Sequence, residues 1–285
     1  ADLERSIPSA VDGLKPGQRK ILFCAFKRGL TSDVKVAQLA GYVSEHSAYH
    51  HGEASLQGAI VGLAQDFVGS NNVNLLVPSG QFGTRLMGGK DAASARYIYT
   101  RLAPTTRSLF HPADDALLHY LEEEGQSIEP SWYVPLIPTA LVNGADGIGT
   151  GWSTFVPNFN PRDLIASIRV LLGGGALEPG GLAPWYRGFT GAVARVAGKA
   201  GAPPSYALTG TVTVTGDATL DVTELPVRRW TQDYKEFLEG LVKPADGSRP
   251  LLADYREHHT DAAVHFALQA ADGGMAALTA APGLE

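Results

Sequence analysis

The sequence is poor in the features that mark disulfide-rich, membrane-spanning and secreted proteins. Its 285 residues include one cysteine, Cys24, so an internal disulfide is excluded and a reducing compartment is favoured. It has no run of eighteen or more apolar residues, which argues against a membrane-spanning helix. The N-terminus lacks the charged-then-apolar pattern of a secretory signal. We therefore expect a globular protein without a membrane partner, with Cys24 buried in its core.

An excess of positive charge is also lacking. The formal net charge is −6 at pH 7, and such a total argues against a nucleic-acid partner. The distribution is uneven, however, because residues 1–110 carry twelve Lys and Arg against eight Asp and Glu. Binding to phosphate depends on the local field rather than on the total. A polyanionic partner of the first part of the chain therefore stays possible.

Two glycine-rich stretches resemble nucleotide-binding loops but break their spacing. In residues 83–90 a glycine stands where a P-loop requires lysine, and Asp91 follows where serine or threonine belongs. In residues 147–151 the third glycine position of a dinucleotide fingerprint is occupied by Trp152. A nucleotide-dependent transferase is therefore a weak alternative, and it predicts that this chain alone binds ATP.

Three apolar periodicities in the first part of the chain predict helices. Residues 17–29 predict the first helix, and Asp33 is a candidate cap for a second helix that includes residues 34–40. Residues 55–67 predict the third helix, with an apolar stripe of Leu56, Ile60, Leu63, Ala64 and Phe67. Three short helices followed by glycine-rich extended segments are the outline of a winged helix, whose third helix lies in a DNA major groove.

The pattern changes after residue 156. Residues 161–169 predict a helix, which a linker rich in proline and glycine follows. Residues 205–225 alternate between apolar and polar types, as strands do. We expect a second, α/β domain here. The Ala/Gly-rich tail after Ala270 leads us to expect that this domain is truncated at the C-terminus.

The pair Arg96-Tyr97 suits attack on a phosphodiester. A free phenol has a pKa near 10, so forming the phenolate at pH 7 costs about 4 kcal/mol. A neighbouring guanidinium lowers that cost, and it also stabilises the negative charge that grows on the phosphate oxygens. Taken alone, the dipeptide equally fits an amphipathic tyrosine at a strand edge beside an exposed arginine.

Several motifs around this pair occur in a characteristic order, namely residues 5–20, 49–56, 81–84, 95–97 and 137–152. Together they closely resemble the breakage–reunion region of type IIA DNA topoisomerases, specifically eukaryotic topoisomerase II. The resemblance covers essentially the whole chain and is densest up to Trp152.

The resemblance implies a mixed α+β fold, with a winged-helix domain over residues 1–156 and an α/β tower domain over residues 157–285. It implies a type II topoisomerase that acts on double-stranded DNA, as a homodimer in the nucleus. Magnesium (Mg²⁺) and ATP are implied as cofactors of TOPRIM and ATPase modules outside this chain. No Asp-x-Asp-x-Asp run occurs, so we expect no metal ligands here.

The resemblance also implies the roles of individual residues. Tyr97 would attack phosphorus and form a 5′-phosphotyrosyl bond, while Arg96 and His51 stabilise the transition state. Ile148, between two flexible glycines, would wedge between base pairs and kink the duplex. The other implied DNA contacts are Arg5, Lys15, Arg19, Tyr49, His50, Ser55 and Arg85.

Two questions stay open at this point. Adjacent His50 and His51 suggest a metal site, but neighbouring side chains on a strand diverge and no third ligand accompanies them. A histidine that donates to the scissile phosphate is the better interpretation, and either ring fits. The main alternative function is a winged-helix module that binds duplex DNA without catalysis, which would need no nucleophile at Tyr97.

Overall fold

The computed structural model describes residues 2–178, 180–197 and 204–280, and it forms two compact units. The first unit contains the described residues up to Arg187, except residues 67–69 and 83–91, which belong to the second unit together with the rest of the chain. These compact units are defined by how the chain packs, and their bounds need not coincide with those of domains. The predicted domains at 1–156 and 157–285 therefore stay a prediction.

The first unit holds most of the helices. In chain order its elements are α1 (Asp2–Ser6), α2 (Pro16–Arg28), β1 (Val34–Lys35), α3 (Val36–His46), α4 (Glu53–Ala64), β2 (Tyr99–Thr100), α5 (Thr106–Leu109), a 3-10 helix (Pro112–Leu117), β3 (Tyr120–Glu123), β4 (Gln126–Pro130), α6 (Thr139–Val142), β5 (Ala145–Gly149), β6 (Trp152–Val156) and α7 (Pro161–Leu172).

The three predicted helices are present as α2, α3 and α4. Helix α2 starts at Pro16, where a missing amide hydrogen costs nothing, and it stops before Gly29, which adopts φ +58°. The capping role predicted for Asp33 is wrong, because its carboxylate pairs with Arg101. Residues 34–35 instead form strand β1, which pairs with β2, and α3 begins only at Val36.

The core of the first unit lies between α2, α3 and α4. The predicted stripe of α4 is buried as far as Ala64, where the helix ends. Cys24 is fully buried in this core, as predicted, and burial raises the pKa of its thiol to about 12. An antiparallel ribbon follows the helices, since Ser79 bridges Tyr99 beside the β1–β2 pair. The expected α+β winged-helix arrangement is confirmed.

A buried ion pair joins separate segments of this unit. Asp12 is fully buried, and its carboxylate accepts hydrogen bonds from Arg19 Nε at 2.8 Å and Nη2 at 3.0 Å. The same carboxylate accepts from the amides of Leu14 and Tyr133 at 3.0 and 2.9 Å. The hydroxyl of Thr139, in α6, donates to the Asp12 carbonyl at 2.6 Å. Asp12 thus fixes α2, α6 and the chain before each of them.

The second unit is built on an antiparallel sheet. Its elements are β7 (Ala192–Val196), β8 (Ser205–Thr209), β9 (Thr211–Gly216), β10 (Thr219–Glu224), α8 (Thr231–Val242), β11 (Leu252–Glu257), β12 (Phe266–Ala270) and α9 (Met275–Ala280). Four strands follow the order β11-β12-β10-β9, and β7 pairs with β8. The strands predicted over residues 205–225 are present as β8, β9 and β10, although burial along β9 does not alternate and Val214 is 58% exposed. Residues 281–285, on which the expected truncation partly rests, lie outside the described residues.

Buried apolar side chains of the sheet and of α8 form a separate core in the second unit, with Phe266 and Leu238 at its centre. In the part of the chain that the structure describes, no helix is both long and apolar enough to cross a lipid bilayer.

We expect Asp12→Ala to lower the free energy of unfolding by about 3–5 kcal/mol, because the Arg19 charge would stay buried without its partner. Urea unfolding followed by circular dichroism measures this loss. Asp33→Ala is the matched control, since Asp33 and Arg101 are each about 40% exposed and water replaces the partner. Equal losses in the two variants would contradict a central role of Asp12.

Candidate functional site

Arg96 and Tyr97 project from a segment that is anchored at both ends. Ala95 and Ile98, on either side of the pair, are buried at 9% and 1% exposure. Their carbonyls accept hydrogen bonds of 3.0 Å from the first two backbone amides of α3. Such amides have no partner within their own helix, so the segment and the helix start satisfy each other. The amide of Tyr97 closes a turn onto the Ser94 carbonyl at 2.9 Å.

The side chain of Tyr97 is open to a ligand. Tyr97 is 72% exposed, and the guanidinium carbon of Arg96 lies 5.8 Å from the centre of its ring. This distance falls in the range of a cation–π contact, which keeps the positive charge beside the phenol. The arrangement presents a hydroxyl nucleophile and a cation together at the surface, as attack on a phosphodiester requires.

A cavity of about 520 Å³ in the first unit brings together most of the predicted DNA contacts. It lies beside the start of α2 and the residues before α4. Its lining includes Arg5, Lys15, Tyr49, His50, His51 and Ser55. Tyr97 and Ile148 are not among the described residues that line it. The structure therefore brings the predicted cations and histidines together around one cavity, whereas Tyr97 and Ile148 lie elsewhere on the first unit.

The two lysines of this cavity differ in their partners. Lys20 is nearly buried, and its ammonium lies 2.8 Å from the carboxylate of Glu129, which is itself buried. Lys20 also donates to the Ser47 carbonyl. Lys15 is half-buried and forms no ion pair with any described residue. The charge of Lys20 is thus neutralised within the protein, while that of Lys15 stays available to an anion.

The adjacent histidines have different neighbours, although they lie in the loop between α3 and α4 rather than on the strand that the prediction assumed. His50 Nε2 lies 2.6 Å from Glu123 Oε1, at the tip of the β3–β4 hairpin. The ring of His51 instead packs edge-on against Tyr49, with centroids 5.5 Å apart. Glu123 was missed in the sequence, although an acidic run ahead of the Gly125 turn marks the hairpin tip. Since His50 already has a carboxylate partner, His51 is the better candidate to face a phosphate.

The described residues do not fit a resident metal ion or nucleotide. No group of three or more His, Cys, Asp or Glu side chains within residues 2–178, 180–197 and 204–280 is placed to hold a metal. The glycine loop at residues 83–90 also lacks the lysine spacing of a P-loop.

Two predicted DNA contacts do not fit the structure. Arg19 is buried against Asp12, and Arg85 is buried against Glu224, a strand residue of the second unit. Releasing either guanidinium to a phosphate would leave a buried carboxylate without its counter-charge. Both arginines therefore stabilise the fold rather than an external anion, and we do not retain the predicted contacts.

Ile148 lies near the tip of the β5–β6 hairpin and is 80% exposed, as a wedge requires. Its neighbouring glycines, however, are not there for flexibility. A Cβ on Gly147 would lie 2.4 Å from the carbonyl oxygen of Ser6, and one on Gly149 would lie 2.7 Å from Leu3 Cδ2. Glycine at both positions lets α1 pack closely against the hairpin.

The family described as the A subunit of DNA gyrase/topoisomerase IV has a model that matches residues 5–281 of this chain. The chain belongs to that family. The type IIA topoisomerase resemblance read from the motifs is thereby confirmed.

Named relatives agree with this assignment. The chain is 57% identical to DNA topoisomerase 2 of Arabidopsis thaliana over 277 residues, which is 97% of this chain and 18% of the relative. It is 53% identical to DNA topoisomerase 2-alpha of Sus scrofa over 270 residues, which is 94% of this chain and 17% of the relative. It thus spans less than a fifth of the length of these topoisomerases.

A solved structure shares the fold. The DNA-binding, cleavage and re-ligation domain of Plasmodium falciparum topoisomerase II superposes with a TM-score of 0.92 at 48% sequence identity. The match covers 98% of this chain and 37% of that chain.

We expect the two cavity lysines to respond oppositely to truncation. Lys20→Ala should lower the free energy of unfolding by about 3–5 kcal/mol, because Glu129 would stay buried and charged. Lys15→Ala should leave unfolding unchanged, weaken duplex DNA binding, and lower the dependence of log affinity on log salt by about one unit. Urea unfolding and a fluorescence anisotropy titration measure these effects. A stability loss in Lys15→Ala would show that its charge is also used within the fold.

Proposed function

We propose that this chain is the DNA cleavage and rejoining part of a type II DNA topoisomerase, and that its substrate is double-stranded DNA. The observation that carries the proposal is the exposed Tyr97 with the Arg96 guanidinium beside it, on a segment held by buried neighbours. Membership of the DNA gyrase/topoisomerase IV family supports it.

The proposed reaction is a reversible exchange of phosphate esters at Tyr97. The phenol loses its proton and attacks a backbone phosphorus, the bond from phosphorus to the 3′-oxygen breaks, and that oxygen takes up a proton. The strand then ends in a 5′-phosphotyrosyl ester. Because one ester replaces another, little free energy is lost, and the 3′-hydroxyl can attack in reverse to reseal the strand. Arg96 stabilises the charge on the phosphate oxygens in both directions.

The cavity beside α2 is the proposed phosphate-binding surface. Arg5 and Lys15 would neutralise backbone charge, which positions a duplex without reading its sequence. Tyr49, His50 and Ser55 also line the cavity and would contact the backbone. His51 would donate a hydrogen bond to the phosphate under attack. Ile148 would enter between base pairs and kink the duplex.

The complete protein would supply the remaining functions. We propose that Mg²⁺ and ATP are bound by modules of the complete protein. Double-strand passage requires two tyrosines, one for each strand, which a two-fold homodimer provides. The nucleus is the proposed location, since that is where eukaryotic chromosomal DNA is held.

We expect an SDS-stable protein–DNA adduct when this chain is fused to a TOPRIM module and given Mg²⁺ and labelled duplex. The adduct should map to Tyr97 and to a 5′ end. Tyr97→Phe should retain duplex affinity and form no adduct, because the ring keeps its packing but has no hydroxyl to attack phosphorus. Adduct yield on denaturing gels, beside binding titrations, measures both effects.

Tyr99→Phe is the matched control, since Tyr99 is a partly exposed tyrosine two residues away. It should still form the adduct. If Tyr97→Phe formed adducts, the nucleophile would be wrongly assigned. If the fusion protein with Tyr97 intact bound duplex without forming any adduct, the alternative of a non-catalytic DNA-binding module would replace this proposal.

A further inference from the structure

The β5–β6 hairpin presents two large apolar side chains on one face. Its register places Asp146 opposite Phe155 and Ile148 opposite Ser153. Because alternate residues of a strand share a face, these four side chains lie on the same side of the hairpin. All four are exposed, with Ile148 at 80% and Phe155 at 60%. Phe155 is therefore the apolar neighbour of the proposed wedge.

The other face of the hairpin is held by α1. The close approach of α1 at Gly147 and Gly149 covers part of that face, while Trp152 at its edge stays 70% exposed. The amide and the hydroxyl of Thr150, in the hairpin turn, each donate to Asp2 Oδ2 at 2.9 Å. The hairpin is thus fixed on the rest of the first unit, and its apolar face is directed to solvent. Exposed apolar side chains grouped on a rigid support mark a binding surface.

We propose that Phe155 is a second apolar DNA contact that acts beside Ile148. The proposal rests on the proposed function, because it takes the duplex as the ligand of this face. Diagonal neighbours across an antiparallel pair lie about 7–8 Å apart. Successive bases of a strand are spaced by about 3.4 Å. Because Phe155 is offset from Ile148 by this distance along the hairpin, the proposal places its ring beside the opened base step, about two base pairs away.

The chemistry of this face favours the groove over the backbone. Asp146, which pairs with Phe155 across the hairpin, carries a carboxylate, and a carboxylate has no donor for a phosphate oxygen. The phenyl ring offers no donor to a phosphate either. A minor groove that a wedge has opened instead presents sugar carbons and base edges, against which an aromatic ring packs. Phe155 thus extends the apolar contact from one base step to a stretch of groove.

An apolar contact has a distinct thermodynamic signature. Replacing a phosphate-binding cation lowers the salt dependence of the affinity, because fewer counterions are released. Replacing an apolar contact lowers the affinity equally at every salt concentration. Phe155→Ala should therefore weaken duplex binding by about five- to tenfold, the scale of one lost aromatic contact with a base. The slope of log affinity against log salt should stay unchanged.

The experiment titrates a fluorescent duplex with this chain over about 50 to 200 mM salt, a range in which phosphate contacts change affinity strongly. A dye pair at the duplex ends reports bending in the same titration. Ile148→Ala is the reference for a lost wedge. Trp152→Ala is the matched control, because Trp152 is an aromatic residue of the same hairpin, 70% exposed, that pairs with Gly149 on the other face. Thermal unfolding midpoints verify that each variant is folded.

The expected result is weaker duplex binding and less duplex bending in Phe155→Ala. Trp152→Ala should keep the affinity and bending of the unmodified chain, and Phe155→Leu should recover most of both. Unchanged affinity in Phe155→Ala beside a loss in Ile148→Ala would overturn the proposal. Equal losses in Phe155→Ala and Trp152→Ala would also overturn it, because the effect would then belong to the hairpin rather than to one face. These outcomes are independent of the Tyr97 adduct, so a failure here is distinguishable from a failure of the proposed function.

Discussion

The first unit depends on the buried carboxylate of Asp12. Burying a carboxylate and a guanidinium is costly, and the cost is offset only when every donor around the pair is in place. Asp12 meets this condition with Arg19 and with the amides of Leu14 and Tyr133. These bonds set where α2 begins. They therefore also set the position of Lys15, the residue after Leu14, at the edge of the cavity.

The same principle divides the basic residues by function. Lys20 and Arg85 each have a buried carboxylate as partner, as Arg19 does, and their charges serve the fold. Arg5 pairs with a carboxylate only at the exposed surface, and Lys15 has no ion-pair partner among the described residues. A phosphate can bind Arg5 or Lys15 without leaving a buried carboxylate unpaired. An acidic net charge is compatible with a DNA surface for a different reason, namely that the charge is unevenly distributed, with twelve Lys and Arg against eight Asp and Glu in residues 1–110.

The sequence was informative where a property is local. The periodicity of residues 55–67 predicted α4 because burial of one helix face repeats along the chain, and the alternation over residues 205–225 predicted strands for the same reason. The ion-pair partners of charged residues could not be predicted from a local pattern. Glu224 lies 139 residues after Arg85, so no local pattern assigns the pair. Asp33 fits a helix cap by its type and position, but its partner, Arg101, comes from a distant part of the chain.

The proposed nucleophile and the proposed wedge are both held in place by the residues that flank them. In each case an exposed segment stands between two residues that fix the backbone, through carbonyl hydrogen bonds to α3 in the first case and through the absence of a side chain in the second. Ala95 and Ile98 are buried on either side of Arg96-Tyr97, while Gly147 and Gly149 admit α1 on either side of Ile148. A reversible break needs such support, because the tyrosyl ester and the 3′-hydroxyl must stay aligned until the strand is resealed. The anchored flanks keep the backbone at Tyr97 in place, and under the proposed function resealing would then not depend on a new search for the broken end.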